Sequence, residues 1–388
     1  MQKRIEQLQG TLQAEGIAAA IFRLPENVLL FSRYWSRVGF AFVFIPQKGM
    51  ASLICPESEL EDGKAGDLGD VRAFASGRLC DGDQYENVKA ILQDLAKEHR
   101  IDAGCTIGLE QGAESVAPSL DAGEQGLPGA ATVAMVSEAL GAGKIVNMHP
   151  AVSQMRQIKL DEDIKSLDIV NEIGYEGIRH FKQLVEQDNM REIDIAAGVE
   201  AFVAGYACGY KGVRFARAWA QVTSGPRTGD AWYAGMVSGG RKLEKGDFVM
   251  LEMAVAADGY WCDLTETVCV GGLSGKAANI YEAVQKAQQA ALSAIRDGMQ
   301  ASAVDAAARS YLEGLQYGEY FNHITGHGVG FAYHDGPPFL APASPHILKA
   351  GMVHSVEPGV YIPGYGGVRI EVNALVLPGG SRVLGKNA

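Results

Sequence analysis

The chain has 388 residues, 47% of them hydrophobic and 21% charged, which is enough for two domains with sizeable cores and excludes a disordered or low-complexity chain. Its formal net charge of −12 argues against a nucleic-acid backbone or an anionic membrane as the main partner, since both require a concentrated basic surface. The six cysteines (Cys55, Cys80, Cys105, Cys208, Cys262, Cys269) form no CxxC pair, and no apolar run approaches the roughly 18 residues of a membrane span, so a reduced cytoplasmic protein acting on a small molecule is expected.

In chain order, residues 1–16 read as a helix and Ala18 to Arg23 as a short strand. Apolar runs follow at Phe40 to Ile45, Ala51 to Cys55, Val71 to Phe74, Cys105 to Leu109 and Thr132 to Val136, alternating with helical patterns such as Tyr85 to His99. That alternation predicts an α/β domain with a mixed sheet over residues 1–154. It contains neither a G-x-G-x-x-G nor a Walker pattern, so nucleotide binding has no support there.

The texture changes near Met155, and residues 155–388 are expected to form a second domain. Helices are predicted over Asp161 to Val185, Ile193 to Tyr206, Lys276 to Arg296 and Ala303 to Leu315. After each helix pair comes a carboxylate-bearing hairpin. In the first, Phe248 to Val255 is an apolar strand interrupted by Glu252, and Asp258-Gly259 is a two-residue turn into Tyr260 to Val270. Closing that turn sets Glu252 opposite Thr265 and Asp263 opposite Ala254, which puts both acids on one face as diagonal neighbours. Two buried acids aimed at one place call for a cation between them, and a divalent metal is the simplest one.

The spacing of Leu243, Gly246 and Glu252 recurs at Leu348, Gly351 and Glu357. The strand returning from Pro363 to Gly367 then places Arg369, Glu371 and Asn373 on one face. Between the two hairpins, His323-Ile324-Thr325-Gly326-His327-Gly328-Val329-Gly330 carries two histidines among glycines that permit close backbone approach, and His334 follows seven residues after His327. His334 is a candidate proton shuttle or substrate donor. His99, His149, His180, His346 and His354 have no such context and read as structural.

The motifs GDFVMLEMAVAADGYWCDLTET, HITGHGVGFAYHD, GMVHSVEPGVYIP and GVRIEVNALV resemble the pita-bread metallohydrolases, which include prolidases, aminopeptidase P, methionine aminopeptidase and creatinase. The first half is similar to the creatinase/prolidase N-terminal domain. The resemblance covers essentially the whole chain and implies a mixed-sheet α/β N-terminal domain followed by an α+β pita-bread domain with a pseudo-twofold repeat of helix pair and hairpin. It further implies two divalent metal ions (Mn, Co, Zn or Fe) held by Glu252, Asp263, His327, Glu357 and Glu371. Glu357 matches the family's general base, His334 its substrate-facing catalytic histidine and His323 a neighbouring active-site and substrate-binding histidine. Arg369 matches the arginine that holds the proline carboxylate in dipeptidases, and a homodimer is expected.

Two positions depart from that pattern. Glu252 stands where the family's first ligand is Asp, which predicts reduced occupancy of one metal site. Trp232 stands at a substrate-binding position where peptidases of the family carry histidine. The leading expectation is a metal-dependent Xaa-Pro dipeptidase. The alternatives are the same fold acting on a small non-peptide substrate, as in creatinase, ectoine hydrolase or a sulfonium-propionate lyase, and a non-catalytic binding module.

Overall fold

Helix α1 (Gln2–Glu15) buries Ile5, Leu8 and Leu12 at helical spacing and ends at Gly16, whose φ of 66° is the left-handed cap a glycine adopts freely. The protein, seen as a computed structural model, is described at residues 1–37, 39–76, 81–111, 129–232 and 237–386, so Cys80 lies outside the described residues. In sequence, one compact unit ends at Arg156 and a second begins at Gln157.

The first unit continues with β1 (Ala19–Phe22), α2 (Pro25–Ser32), β2 (Phe42–Pro46), β3 (Ser52–Pro56), α3 (Leu60–Lys64) and β4 (Asp70–Phe74). Then come α4 (Gln84–Glu98), β5 (Thr106–Leu109), α5 (Ala130–Ala139), β6 (Lys144–Asn147) and α6 (His149–Gln157). The six strands form one sheet in the order β4-β3-β2-β1-β5-β6, with antiparallel β1·β2 and β2·β3 pairs and parallel β3·β4, β1·β5 and β5·β6 pairs. The expected mixed sheet is therefore present. The strand expected over Thr132 to Val136 is instead part of α5, where Thr132, Met135, Val136 and Ala139 are buried at helical spacing. The short apolar run suggested a strand, but the burial period of the longer segment decides for helix.

In the second unit, α7 (Asp161–Val185) and α8 (Glu192–Ala207) precede a three-stranded sheet of β7 (Ala216–Ser224), β8 (Phe248–Ala257) and β9 (Tyr260–Cys269). α7 approaches this sheet at Gly174, where a Cβ would meet Leu264 Cδ1 at 2.5 Å. Helices α9 (Gly275–Ala294) and α10 (Ala301–Gly314) precede β10 (Val353–Val356), β11 (Gly359–Ile362), β12 (Gly366–Arg369), β13 (Val372–Leu377) and β14 (Gly380–Val383). The predicted pattern of helix pair then hairpin thus occurs twice, each time with a third strand that the reading of the hairpins did not include. One buried cluster, with Ile280, Val284, Val304, Leu312, Val356 and Val372, joins the second helix pair to its strands. Among the described residues, no helix is long and apolar enough to cross a membrane.

Candidate metal centre

Asp258 (φ 45°) and Gly259 (φ 90°) form the two-residue left-handed turn that closes β8 on β9. It fixes the register expected from sequence, with Glu252 facing Thr265 and Ala254 facing Asp263. Asp263 is buried, and its backbone is clamped by Asn373: Asp263 N–H donates to Asn373 Oδ1 (3.0 Å) and Asn373 Nδ2 donates to the Asp263 carbonyl (2.9 Å). The pair ties the first sheet to β13.

The second hairpin is interrupted. Val356 faces Val372 and Gly359 faces Arg369, so the register carried across the gap sets Glu357 opposite Glu371. Pro358 has no N–H to donate, and the backbone donors of the two acids turn to other segments: Glu357 N–H to the Thr325 carbonyl and Glu371 N–H to the Thr265 carbonyl, each at 2.9 Å. The break thereby docks both acids, the second against the first hairpin.

The histidine loop enters beside β10 at Gly326, where a Cβ would lie 1.9 Å from the Ser355 carbonyl oxygen, so only glycine fits. His327 Nδ1 lies 3.0 Å from the Gly328 carbonyl; a carbonyl only accepts, so Nδ1 carries a proton and Nε2 is turned away from Gly328. Nε2 is 3.3 Å from Asp263 Oδ2 and 3.4 Å from Glu357 Oε1. Three electron-rich atoms facing one another are tolerable only around a proton or a metal cation. Ser355 holds the arrangement from behind, donating its hydroxyl to Glu357 Oε1 (2.9 Å) and accepting the His327 N–H (3.0 Å).

By the same reasoning His323 donates through Nδ1 to the Ile324 carbonyl (2.7 Å), and its Nε2 accepts from the Tyr361 hydroxyl (2.8 Å). Burial lowers its pKa, which keeps it neutral. The His334 ring lies 4.3 Å from the ring of His327 and 4.3 Å from that of Tyr333, tilted against both. Next to it, Asp335 forms a fully buried ion pair with Lys159 (3.1 Å). Of the histidines read as structural, His354 is buried on β10, with burial and then the Lys159 charge holding its pKa at about 3.

Among the described residues, potential ligand atoms lie within 4.8 Å of one another in three groups: Asp263, His327 and His334; His327, Glu357 and Glu371; and Glu252, Asp263 and Glu371. Burial, then the neighbouring carboxylates, raise the pKa of Asp263 and Glu371 well above the ordinary range. Their Oδ1 and Oε1 atoms, respectively, are buried without a hydrogen-bond partner among the described residues. Carboxylate oxygens and imidazole nitrogens of this kind fit Mn²⁺, Co²⁺, Zn²⁺ or Fe²⁺. Glu252 differs: burial alone would raise it, but Arg369 with the Thr265 and Tyr333 hydroxyls brings it down to about 2.

These shifts predict a pH dependence of stability for the metal-free protein. Asp263 and Glu371 bind protons more tightly folded than unfolded, so their contribution is complete below their ordinary values of 3.8 and 4.5 and is lost as pH rises through the raised folded values. Glu252 has the opposite sign: its contribution is present above 4.5 and lost as pH falls toward about 2. Urea midpoints of chelator-treated protein are therefore expected to fall as pH rises above 4.5. Adding Mn²⁺ is expected to reverse that trend, because metal binds the deprotonated acids.

Arg369 is not presented as expected. It is buried, with Nε donating to Thr265 Oγ1 (3.1 Å), Nη1 to the Ala231 carbonyl (2.8 Å) and the Tyr361 hydroxyl (2.9 Å), and Nη2 to Glu252. Most of its donors are engaged within the protein, so a free fork for a substrate carboxylate is not available in this arrangement. Trp232, directly after Ala231, is 42% exposed. Thr265, Tyr333, Tyr361, Ser355 and Asn373 were not anticipated as site residues. Thr265 and Asn373 were visible as same-face neighbours of the acids, whereas the tyrosines carried no spacing signal. Stacked Trp219 and Trp261 (5.1 Å), with Tyr333 beside Trp261, form an aromatic wall on the Asp263 face of the first sheet.

Residues 165–378 match the family described as metallopeptidase family M24, and residues 4–158 match the creatinase/prolidase N-terminal domain. The chain is 28% identical over 386 residues to the Xaa-Pro dipeptidase of Pyrococcus furiosus, covering 100% of this chain and 98% of that protein. It is 33% identical over 253 residues to the uncharacterized peptidase YqhT of Bacillus subtilis, covering 65% and 69%. Its fold superposes on the solved Xaa-Pro dipeptidase from Bacillus anthracis with a TM-score of 0.80 at 27% identity, covering 100% of this chain and 98% of the other. Residues 165–378 carry the acids, the histidine loop and both hairpins on a pita-bread scaffold, and the chain belongs to metallopeptidase family M24.

Proposed function

We propose that the chain is a metal-dependent Xaa-Pro dipeptidase. The observation that carries this is His327 Nε2 set against Asp263 Oδ2 and Glu357 Oε1, with buried oxygens on Asp263 and Glu371 alongside that have no hydrogen-bond partner among the described residues. Asp263, His327, Glu357 and Glu371 would hold the divalent metal, with Glu252 at the edge of the cluster. When bound, the metal supplies Lewis acidity toward the scissile carbonyl and acidifies water.

Glu357, oriented by Ser355, takes the proton of the attacking water and returns it to the departing proline nitrogen. His334, its ring beside that of His327, faces the carbonyl oxygen as charge develops on it. His323 and Tyr361 border the same space through their mutual hydrogen bond. Arg369 is a positioning residue that fixes Glu252 and Tyr361. The cytoplasmic reading draws support from the described cysteines, all of which are free.

Chelator-treated protein reloaded with Mn²⁺ or Co²⁺ is expected to release proline from Xaa-Pro dipeptides, and to release none before reloading. Absence of proline release with every metal tried counts against the proposal. A second reading, hydrolysis of a small non-peptide amide, draws on the engaged Arg369 and on Trp232, which leave the grip on a dipeptide carboxylate to other groups. Turnover of such an amide without proline release would favour it.

A further inference from the structure

Glu252 is the odd member of the acid cluster. Its Oε1 accepts the Tyr333 hydroxyl (2.8 Å), and its Oε2 accepts the Thr265 hydroxyl (2.5 Å) and pairs with Arg369. Asp263 Oδ1 and Glu371 Oε1, by contrast, have no hydrogen-bond partner among the described residues. His327 is shared by two of the three potential ligand groups, and Glu252 belongs only to the third. Asp263 and Glu371 belong to the Glu252 group and to a His327 group alike, so what separates the two ends is that both oxygens of Glu252 are already engaged.

We infer that Arg369 is the built-in counter-cation of Glu252, so that this centre holds one divalent ion, at the His327 end, instead of two. The inference rests on the metallopeptidase reading above and specifies the composition of its centre. The Arg369 guanidinium is held from the far side as well, by the Ala231 carbonyl and the Tyr361 hydroxyl, and by Thr265 Oγ1 through Nε. It is a fixed charge in a buried place and cannot swing out of the way at little expense. A second dication drawing on Glu252 would stand against that charge in a region of weak screening.

Thr265 strengthens the case. Its oxygen lies within hydrogen-bond distance of both Glu252 Oε2 (2.5 Å) and Glu371 Oε2 (2.8 Å), yet a hydroxyl has one proton to give. Given to Glu252, it completes that residue's set of partners and leaves Glu371 to a cation.

The test is metal stoichiometry, read separately from activity. Chelator-treated protein is loaded with excess Mn²⁺, freed of unbound metal, and examined by elemental analysis and by electron paramagnetic resonance. One Mn²⁺ per chain with an uncoupled spectrum is expected. Glu252→Gln is expected to keep that single ion, and Arg369→Met, by freeing Glu252, to raise the count to two with a spin-coupled spectrum. Two ions in the unaltered protein, or loss of the ion in Glu252→Gln, overturns the inference while leaving metal-dependent hydrolysis standing. No bound ion in a folded, loaded sample that also fails to release proline overturns both. Should Arg369→Met fail to fold, Glu252→Gln decides by itself.

Discussion

Asp263→Asn is expected to lower kcat/KM on an Xaa-Pro dipeptide by about 10³-fold, equivalent to roughly 4 kcal/mol of lost transition-state stabilisation. The two side chains have nearly the same shape, and the backbone clamp from Asn373 does not involve the carboxylate, so the hairpin should stay in place. What disappears is the charge that faces His327 Nε2 and the oxygen that has no other partner. Removing one of several mutually repelling buried acids also relieves the metal-free protein. We therefore expect Asp263→Asn to be as stable as the unaltered chain without metal, or more stable, and to lose the stabilisation that Mn²⁺ gives. Steady-state kinetics and urea denaturation with and without Mn²⁺ check both halves. A stable variant with undiminished turnover would remove Asp263 from the centre.

The largest effect on stability is expected from Lys159→Met. Lys159 and Asp335 are 2% and 1% exposed, and the substitution leaves a buried carboxylate without its cation, which typically costs about 3–5 kcal/mol. Asp335 also accepts the Phe331 N–H (3.3 Å), while its own N–H donates to the Gly328 carbonyl (2.7 Å). The pair therefore braces the loop between His327 and His334, and turnover should fall along with stability. Denaturant unfolding reads the loss. The double variant Lys159→Met with Asp335→Leu should recover much of the stability, because a hydrophobic pair carries no unpaired charge. A loss below about 1 kcal/mol in the single variant would show that the pair is not a structural brace.

Much of this site was legible because short-range rules fix it. The Asp258-Gly259 turn and the twofold period of a strand determine which residues face Glu252 and Asp263, and β8·β9 follows that register. The amphipathic pattern of Asp161–Val185 likewise gave α7 with its ends in place. The interruptions at Glu357 and Glu371 were not legible, since they depend on carbonyls of Thr325 and Thr265 that are remote in sequence. Strand period correctly put Arg369 on the face of Glu371, but it does not specify which partner a long side chain selects. Glu252, Tyr361 and Ala231 took it, leaving little for a substrate. The strand expected over Thr132 to Val136 failed for a different reason: a short apolar run does not show the helical burial period that becomes visible only over the whole of α5.

The most direct test is anomalous diffraction at the manganese edge from crystals of the Mn²⁺-loaded protein. A peak enclosed by Asp263, His327, Glu357 and Glu371 is predicted. Loaded crystals with these four side chains ordered and no peak among them would contradict the account.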